Sequence, residues 1–168
     1  MDVLEAIHTR RSVRHFTAEP VTPEEVEEIL RAGAWAPSGL NNQPWRFAVV
    51  RDAEVRRGLA ALTKYRHVVE GAPVSLVVFC DRNAMYNDTK DHQSIGACLQ
   101  NMLLAAHARG LGAVWLGEIL RSAVQVRELL GLPQNLELMA VVAVGRPAAA
   151  PLHRGDRKEL AELVLGEW

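Results

Sequence analysis

Two short segments of this chain contain the side chains whose types and spacing could bind a ligand. The first is RRSVRHF at residues 10–16, in which Arg10, Arg11 and Arg14 surround Ser12. Guanidinium groups suit phosphate because they present a planar fork of donors, and a serine hydroxyl adds another. In an extended stretch, Arg10, Ser12 and Arg14 would point to one side and Arg11 to the other. The pattern indicates a phosphate site, with a solvated basic strand as the alternative.

The second segment is WAPSGLNNQPW at residues 35–45. Pro37 and Pro44 restrict its backbone at both ends, and Gly39 permits a close approach. The hydrogen-bonding side chains between the prolines suit the carbonyl and ring-nitrogen edges of a heteroaromatic ring; they are Ser38, Asn41, Asn42 and Gln43. We expect Trp35 and Trp45 to anchor this loop in the core. Together the two segments indicate the two halves of a site for a phosphorylated planar cofactor.

Alternating helical and strand patterns must position these segments. We predict four helices in addition to the one discussed below: one over 2–9, one that begins at Thr22, one over 52–63 and one that Ser122 caps and that runs through Leu130. Strands are predicted over 45–50, 74–80, 113–116 and 136–144. The residues from 84 to 93 are polar and are predicted to form a loop, in which Met85, Tyr86 and His92, together with Trp115, could line a substrate pocket. The alternation predicts an α/β or α+β domain with one central sheet.

The segment from Ser94 to Arg109 predicts a helix with almost no charged face. A helix that is apolar nearly all round must be buried all round, and one small sheet covers only one side. We therefore predict a homodimer with this helix near its centre; the alternative is a helix enclosed within one domain. The tail over 146–168 is expected to pack on its own subunit or on the partner, within a single domain over 1–168.

Composition excludes several classes of protein. The 168 residues are 49% hydrophobic and 23% charged with a net charge of −1, so no global field attracts nucleic acid or acidic membranes. No apolar run reaches a membrane span and no signal peptide is recognisable, which predicts a cytoplasmic protein. Cys80 and Cys98 are expected to be buried free thiols, and the six scattered histidines predict no metal site.

Four blocks closely resemble the nitroreductase family of flavoproteins, in particular its shorter members. They are RRSVRHF, APSGLNNQPW, IGACLQNMLLAAHARGLGAVWLGEI and AVVAVGRP, in that order along essentially the whole chain. The resemblance implies an α+β nitroreductase-like fold, with a central mixed sheet flanked by helices. It also implies an entwined homodimer with two FMN sites at its interface.

The resemblance also implies roles for individual residues. Arg10, Arg11 and Ser12 would hold the FMN phosphate and ribityl oxygens, and Arg14 would lie by the flavin pyrimidine. The same flavin would be contacted from the other subunit by Pro37, Ser38, Gly39 and Asn41. Gly117 and Glu118 would offer backbone contacts near the reactive edge, and Arg157, helped by Arg154, would lie at the phosphate.

The implied activity is that of an FMN-dependent oxidoreductase. NADH or NADPH would reduce the flavin, which would then reduce a nitroaromatic, a quinone or a related oxidant in a ping-pong scheme. Because the flavin carries the chemistry, no catalytic side chain is predicted. The alternatives are a specialised enzyme of the same fold, either a reductive dehalogenase or a flavin-destroying enzyme, and a flavin-binding protein without turnover.

Overall fold

A four-stranded antiparallel sheet forms the centre of the molecule. A computed structural model of the chain describes residues 1–149 and 155–168. The strands are β1 (Trp45–Val50), β2 (Val74–Asp81), β3 (Gly112–Leu116) and β4 (Leu136–Gly145), in the order β1-β2-β4-β3. Each neighbouring pair is antiparallel. Within the described residues, the parallel component of the predicted mixed sheet is the isolated bridge between Ser12 and Ala113.

Helices cover both faces of this sheet. They are α1 (Val3–Thr9), α2 (Pro23–Ala34), α3 (Ala53–Ala61), α4 (Arg66–Gly71), α5 (Asp88–Ala108), α6 (Ala123–Leu129) and α7 (Leu160–Leu163). Local sequence sets several of their starts. Asp2 caps α1, and Thr22 and Glu25 form a complete capping box on α2, with Pro23 at its first position.

Alternate residues of the strands pack into two hydrophobic cores, one on each face of the sheet. Leu76 and Val78 point to the face covered by α2 and α5, whereas Val77 and Phe79 point to the face covered by α3, α4 and α6. This alternation follows the two-residue period of a strand. It explains why β2 is buried from Val74 through Cys80. Cys80 and Cys98 are buried free thiols, as predicted.

Four sequence predictions differ from the observed elements. The helix expected over 52–63 ends at Ala61, and the short helix α4 follows it. Helix α5 begins at Asp88, so part of the expected polar loop is its first turn, which Asn87 caps. Ser122 precedes α6 without capping it, because its hydroxyl donates to the Leu62 carbonyl oxygen at 2.9 Å. Trp45 is buried, but Trp35 is 82% exposed in the single chain.

One face of α5 is only partly covered by the described residues. Ile95, Leu99 and Met102 are buried against the sheet side. The opposite stripe contains small or apolar residues that are half-buried or exposed: Gly96, Ala97, Leu104, Ala105 and Ala108. An added Cβ at Gly96 would meet nothing within 4 Å.

The helices of the described residues are not suited to the interior of a bilayer. Across residues 1–149 and 155–168, no helix combines the length and the apolar character that crossing a membrane requires. The 21-residue helix α5 is long enough, but Asp88, Lys90 and Asp91 lie in its first turns.

Candidate functional site

The arginine-rich segment lies along the edge of β3. Ser12 forms the parallel bridge with Ala113, and the Val13 N–H donates to the Ala113 carbonyl oxygen at 3.1 Å. The approach is close, because a Cβ on Gly112 would lie 2.7 Å from the Val13 side chain. Glycine at 112 therefore allows this segment to reach the sheet.

Arg10 and Arg11 line the same cavity, of about 260 Å³. Its other walls include Leu103, His107 and Leu111. The strict alternation expected for the two arginines is therefore wrong. The Arg11 side chain turns back along the chain towards the end of α1, where its Nη1 reaches the His8 and Arg10 carbonyl oxygens. Both guanidinium groups are half-buried, while Ser12 and Arg14 are exposed.

This cluster carries positive charge without acidic partners. Burial lowers the pKa of Arg10, and the nearby charges of Arg11 and Arg157 lower it further. In the described part of the chain, none of these three arginines forms an ion pair with a carboxylate. Eight other arginines do so: Arg31, Arg46, Arg57, Arg66, Arg82, Arg109, Arg121 and Arg146. An uncompensated, partly buried cationic cluster suits an anion.

Hydrogen bonds in the cluster leave one donor unused. Arg11 Nη1 donates to the carbonyl oxygens of His8 and Arg10, each at 2.8 Å. The Nε of Arg10 is buried and has no hydrogen-bond partner among residues 1–149 and 155–168. A buried donor without a partner is costly, and an anion in the cavity could satisfy it.

The polar loop is held in an unusual backbone conformation. Leu40, Asn41 and Gln43 have φ angles of 53°, 55° and 47°, in the left-handed region. For a leucine this conformation is uncommon and strained, and such strain clusters at functional sites. The Ser38 hydroxyl accepts from the Gln43 N–H at 3.1 Å and helps to close the turn. Pro37, Leu40 and Asn41 are exposed, so their surface is available to a ligand or a partner.

A buried carboxylate, Asp91, holds this loop against the start of α5. One of its oxygens accepts from Asn42 Nδ2 at 2.6 Å, and the other accepts from the Tyr86 and Asn87 N–H groups, each at 2.9 Å. Asn42 Nδ2 also donates to the Ala84 carbonyl oxygen at 2.9 Å. Burial favours the neutral acid, but the hydrogen bonds from Asn42, Asn87 and Tyr86 outweigh it and lower the Asp91 pKa.

Tyr86 packs directly on Gly39. A Cβ at Gly39 would lie 2.0 Å from Tyr86 Oη, so only glycine fits there while the ring keeps its position. On its other side, Tyr86 lines an open cavity of about 410 Å³ together with Arg82, Met85 and Asn87. The polar loop and the segment before α5 therefore form one continuous surface.

Gly117 and Glu118 follow β3 on the same edge as the arginine segment. Ala113, which pairs with Ser12, is four residues from Gly117, or about 13 Å along a strand. The Glu118 carboxylate accepts from the Thr63 hydroxyl at 2.7 Å and from the Lys64 N–H at 3.0 Å. The Thr63 hydrogen bond is the largest cause of the lowered Glu118 pKa. The side chain is thus engaged within the chain, while Gly117 is exposed.

Within one chain, the two predicted halves lie at opposite ends of α5. His107, in the last turn, contacts Thr9 at 2.8 Å beside the arginine segment, whereas Asp91, in the first turns, binds the polar loop. Sixteen residues separate them on one helix, which corresponds to about 24 Å. One chain therefore does not bring Arg10–Arg14 and Pro37–Asn41 together.

The remaining predicted residues have different outcomes. Arg157 lies near enough to Arg10 to influence its pKa, whereas Arg154 lies outside the described residues. Tyr86 and Met85 line the larger cavity, and Trp115 is 42% exposed on β3. Sequence reasoning did not single out Asp91, Thr63 or His107. For Asp91, the sequence offered one indication, which is the spacing of Asn87 and Asp91 just before an apolar run.

A comparison with protein families identifies the family to which these features belong. The nitroreductase family model matches residues 7–65 and 60–146, which include both segments, β3 and β4. The chain belongs to the nitroreductase family. Among the described residues of this nitroreductase family member, no three His, Cys, Asp or Glu side chains are grouped to hold a metal ion.

Individual relatives agree with this assignment. The chain is 39% identical over 170 residues to a candidate NADH dehydrogenase/NAD(P)H nitroreductase of Methanothermobacter thermautotrophicus, covering 100% of this chain and 88% of the relative. A crystal structure of a candidate nitroreductase in complex with FMN from Desulfovibrio desulfuricans shares 54% identity and superposes with a TM-score of 0.94, covering 99% and 97% of the two chains. The NADPH:FMN oxidoreductase of Vibrio harveyi, complexed with NAD⁺, gives 34% identity and a TM-score of 0.89, covering 98% of this chain and 76% of that one. These neighbours have the nitroreductase fold that the resemblance implied.

Proposed function

We propose that this protein is an FMN-dependent oxidoreductase. It uses NADH or NADPH to reduce nitroaromatics, quinones or related small oxidants, and it works as a homodimer. The observation that carries the proposal is the cluster of Arg10, Arg11 and Arg157, which lacks carboxylate partners in the described residues and leaves Arg10 Nε buried and unpaired. That donor set fits the phosphate of FMN.

The rest of the edge fits the remainder of the cofactor. Exposed Ser12 and Arg14 follow the cluster along β3, and exposed Gly117 ends that edge about 13 Å further on. Arg10, Arg11, Ser12, Arg157 and, beyond the described residues, Arg154 would hold the phosphate and ribityl end. Arg14 would lie at the pyrimidine, and Gly117 and Glu118 would offer backbone groups near the reactive edge.

The second half of the site comes from a partner subunit. Because about 24 Å of α5 separates the polar loop from the arginine cluster, Pro37, Ser38, Gly39 and Asn41 would contact the flavin held by the other chain. The incompletely covered stripe of α5 supports a helix-centred interface. The start of the 146–168 tail packs on its own subunit, where Pro147 bridges Phe16. The exposed apolar side chains at its end support packing of residues 160–168 on the partner; they are Leu160, Leu163, Leu165 and Trp168.

Each part of the protein then has a defined task. Bound FMN supplies the redox chemistry, accepting a hydride from NAD(P)H and passing electrons to the oxidant in a ping-pong sequence. The arginine cluster neutralises the phosphate, and Arg14 stabilises negative charge on the pyrimidine. The strained loop, fixed by Asp91, presents Ser38 and Asn41 in one orientation. No side chain of this chain is assigned as an obligatory acid or base, and a cytoplasmic location stays a prediction.

Anaerobic reduction of the purified protein tests the proposal. We expect a yellow protein whose flavin absorbance near 450 nm is bleached by stoichiometric NADH or NADPH and restored by a quinone or nitroaromatic. Arg10→Gln should lose FMN on gel filtration, while Arg127→Gln, on α6 outside the site, should keep it. A flavin that NAD(P)H does not bleach would favour the binding protein. Oxygen-dependent destruction of the flavin, or turnover of only halogenated substrates, would favour the specialised enzymes.

A further inference from the structure

His107 lies beside the proposed phosphate cluster, and within the described residues it is hydrogen-bonded through one ring nitrogen. Its Nε2 is 2.8 Å from Thr9 Oγ1, and that hydroxyl donates to the Glu5 carbonyl oxygen at 2.6 Å. Because the hydroxyl proton is already used, the network assigns the Nε2 proton to His107, which donates it to Thr9. In that tautomer, Nδ1 is the nitrogen that gains or loses a proton.

The ring shares its surroundings with two arginines. His107, Arg10 and Arg11 line the same cavity of about 260 Å³, so an anion in that cavity would be surrounded by all three residues. The charged groups that act on His107 are Arg10 and Arg11 from the arginine segment and Glu5 from α1. Burial lowers the His107 pKa most, and the two arginines lower it further against the opposing effect of Glu5. Without an anion, the ring is therefore mostly neutral at pH 7.

We propose that His107 is a titrating member of the anion site, which takes up a proton when a phosphate group occupies the cavity lined by Arg10 and Arg11. The proton comes from solvent and is bound at Nδ1, and no bond to phosphorus changes. This inference rests on the proposed function and extends it, because it makes cofactor retention depend on pH.

The physical reason is the reversal of local charge. Two arginines oppose protonation in the free site, whereas a phosphate carrying nearly two negative charges favours it. The His107 pKa must then be higher in the complex than in the free protein. By linkage, the contribution of His107 to FMN affinity grows as pH falls through the pKa of the complex, and that contribution is lost as pH rises above it.

A purely structural histidine would behave differently. A histidine in the last turn of a helix is favourable there, because its charge complements the helix dipole. That role would change the free energy of unfolding with pH, but it would not couple His107 protonation to phosphate binding. Riboflavin, which has the same ring and lacks the phosphate, separates the two roles.

Calorimetric titration of the apo dimer with FMN provides the test. Measured at pH 7 in buffers of different ionisation heat, the wild type should take up about 0.3 more protons per FMN than His107→Gln. Relative to that variant, its FMN affinity should fall about fivefold between pH 6 and pH 8, which is most of the tenfold limit set by about one unit of pKa change. Because the comparison is made at equal pH, the titration of the phosphate itself cancels. Glutamine retains a donor for Thr9, and Arg127→Gln, on α6 outside the site, is the control, which should behave as the wild type.

Two outcomes separate failure of the inference from failure of the proposed function. Tight, phosphate-dependent FMN binding with equal proton uptake in wild type and His107→Gln overturns the role of His107 alone. Equal affinity for FMN and riboflavin overturns the phosphate site, and the inference with it. An NMR titration of the His107 ring in the unsubstituted protein gives a second readout. Its pKa should rise by about one unit on adding FMN, and an unchanged pKa contradicts the proposal.

Discussion

Asp91 shows how one buried charge fixes the geometry of a site that it does not enter. Its carboxylate is fully buried and receives one side-chain and two backbone donors. A buried carboxylate with these donors is stable, whereas the same donors without the charge would be poorly satisfied. Asp91 is therefore a positioning residue for the loop that carries Ser38 and Asn41.

The substitution Asp91→Asn should destabilise the protein by about 3 kcal/mol, because hydrogen bonds to a charged group are lost and an amide N–H₂ faces backbone donors. Urea unfolding of apo protein measures the loss. Asp88→Asn, on the exposed side of the same first turn, is the matched control and should change the free energy of unfolding by less than about 0.5 kcal/mol. Equal effects of the two substitutions would contradict the role of Asp91.

The stabilisation from Asp91 should also depend on pH. Its pKa is lower in the folded chain than in the unfolded chain. The contribution is therefore complete above the unfolded value of about 3.9 and is lost as pH falls from there through the lower folded pKa. The stability gap between wild type and Asp91→Asn should be constant from pH 5 to pH 7 and should narrow below about pH 4, as followed by urea unfolding at each pH.

Arg14 is exposed at the position proposed for the flavin pyrimidine. Replacing it by alanine removes a cation that favours the reduced, negatively charged ring. Arg14→Ala should weaken FMN retention and lower the two-electron midpoint potential by about 30 mV, equivalent to about 1.4 kcal/mol. Spectroelectrochemical titration measures the potential, and Arg14→Lys, which keeps the charge, should recover most of it. An unchanged potential in Arg14→Ala would refute the tuning role.

At the scale of elements, two loops are fitted to each other. The polar loop contains three residues in the left-handed region, and Tyr86 from the segment before α5 packs onto its Gly39. The polar loop would not hold this conformation alone, because left-handed backbone costs about 1–2 kcal/mol per non-glycine residue. The contacts through Asp91 and Tyr86 offset that cost.

A double-mutant cycle tests this fit. Gly39→Ala places a methyl group where the Tyr86 ring lies, so we expect a loss of about 1–2 kcal/mol from overpacking. In the Tyr86→Ala background the same change should cost less than about 0.5 kcal/mol, giving a coupling of about 1 kcal/mol by urea unfolding. If the effects of Gly39→Ala and Tyr86→Ala on the free energy of unfolding are additive, the contact between residues 39 and 86 does not contribute to stability.

The elements differ in how far sequence could predict them. The strands around 45–50, 74–80 and 136–144 were predicted almost to the residue, because their apolar runs end at turn residues. Helix α4 was missed because six residues are too few for a periodic pattern. The start of α5 was predicted as a loop because its first turns are polar. Trp35 was predicted to be buried because hydrophobicity alone does not distinguish a core position from an exposed one. The site segments were recognised by motif, whereas Asp91 and His107 depend on long-range contacts that one sequence does not reveal.

At the scale of the whole molecule, α5 determines how subunits could assemble. It contacts the arginine segment at one end and the polar loop at the other, and its middle has an incompletely covered stripe. Gly96 lies in that stripe with open space before it, although glycine inside a helix costs about 1 kcal/mol relative to alanine. A close approach by the partner's helix would explain why glycine is used there.

Substitution at Gly96 should therefore separate folding from assembly. Gly96→Ala should raise the stability of the isolated subunit by about 0.5–1 kcal/mol, whereas Gly96→Leu should leave it folded and prevent dimerisation. Sedimentation measures the assembly, and released FMN should accompany the monomer. Gly71→Leu, at another glycine with no atom within 4 Å of an added Cβ, should stay dimeric. A Gly96→Leu monomer that retains FMN would contradict the shared site.

The separation of the two half-sites along α5 has a genetic consequence. If every complete site takes its cluster from one polypeptide and its loop from the other, defects in the two segments should complement each other. In a dimer formed from an Arg10→Gln chain and an Asp91→Asn chain, one site carries both lesions and the other carries neither. Random mixing of the two variant chains should then leave roughly a quarter of the sites without a lesion, because about half of the dimers are mixed. Co-expression of the two variants should therefore yield more intact sites than either variant gives alone.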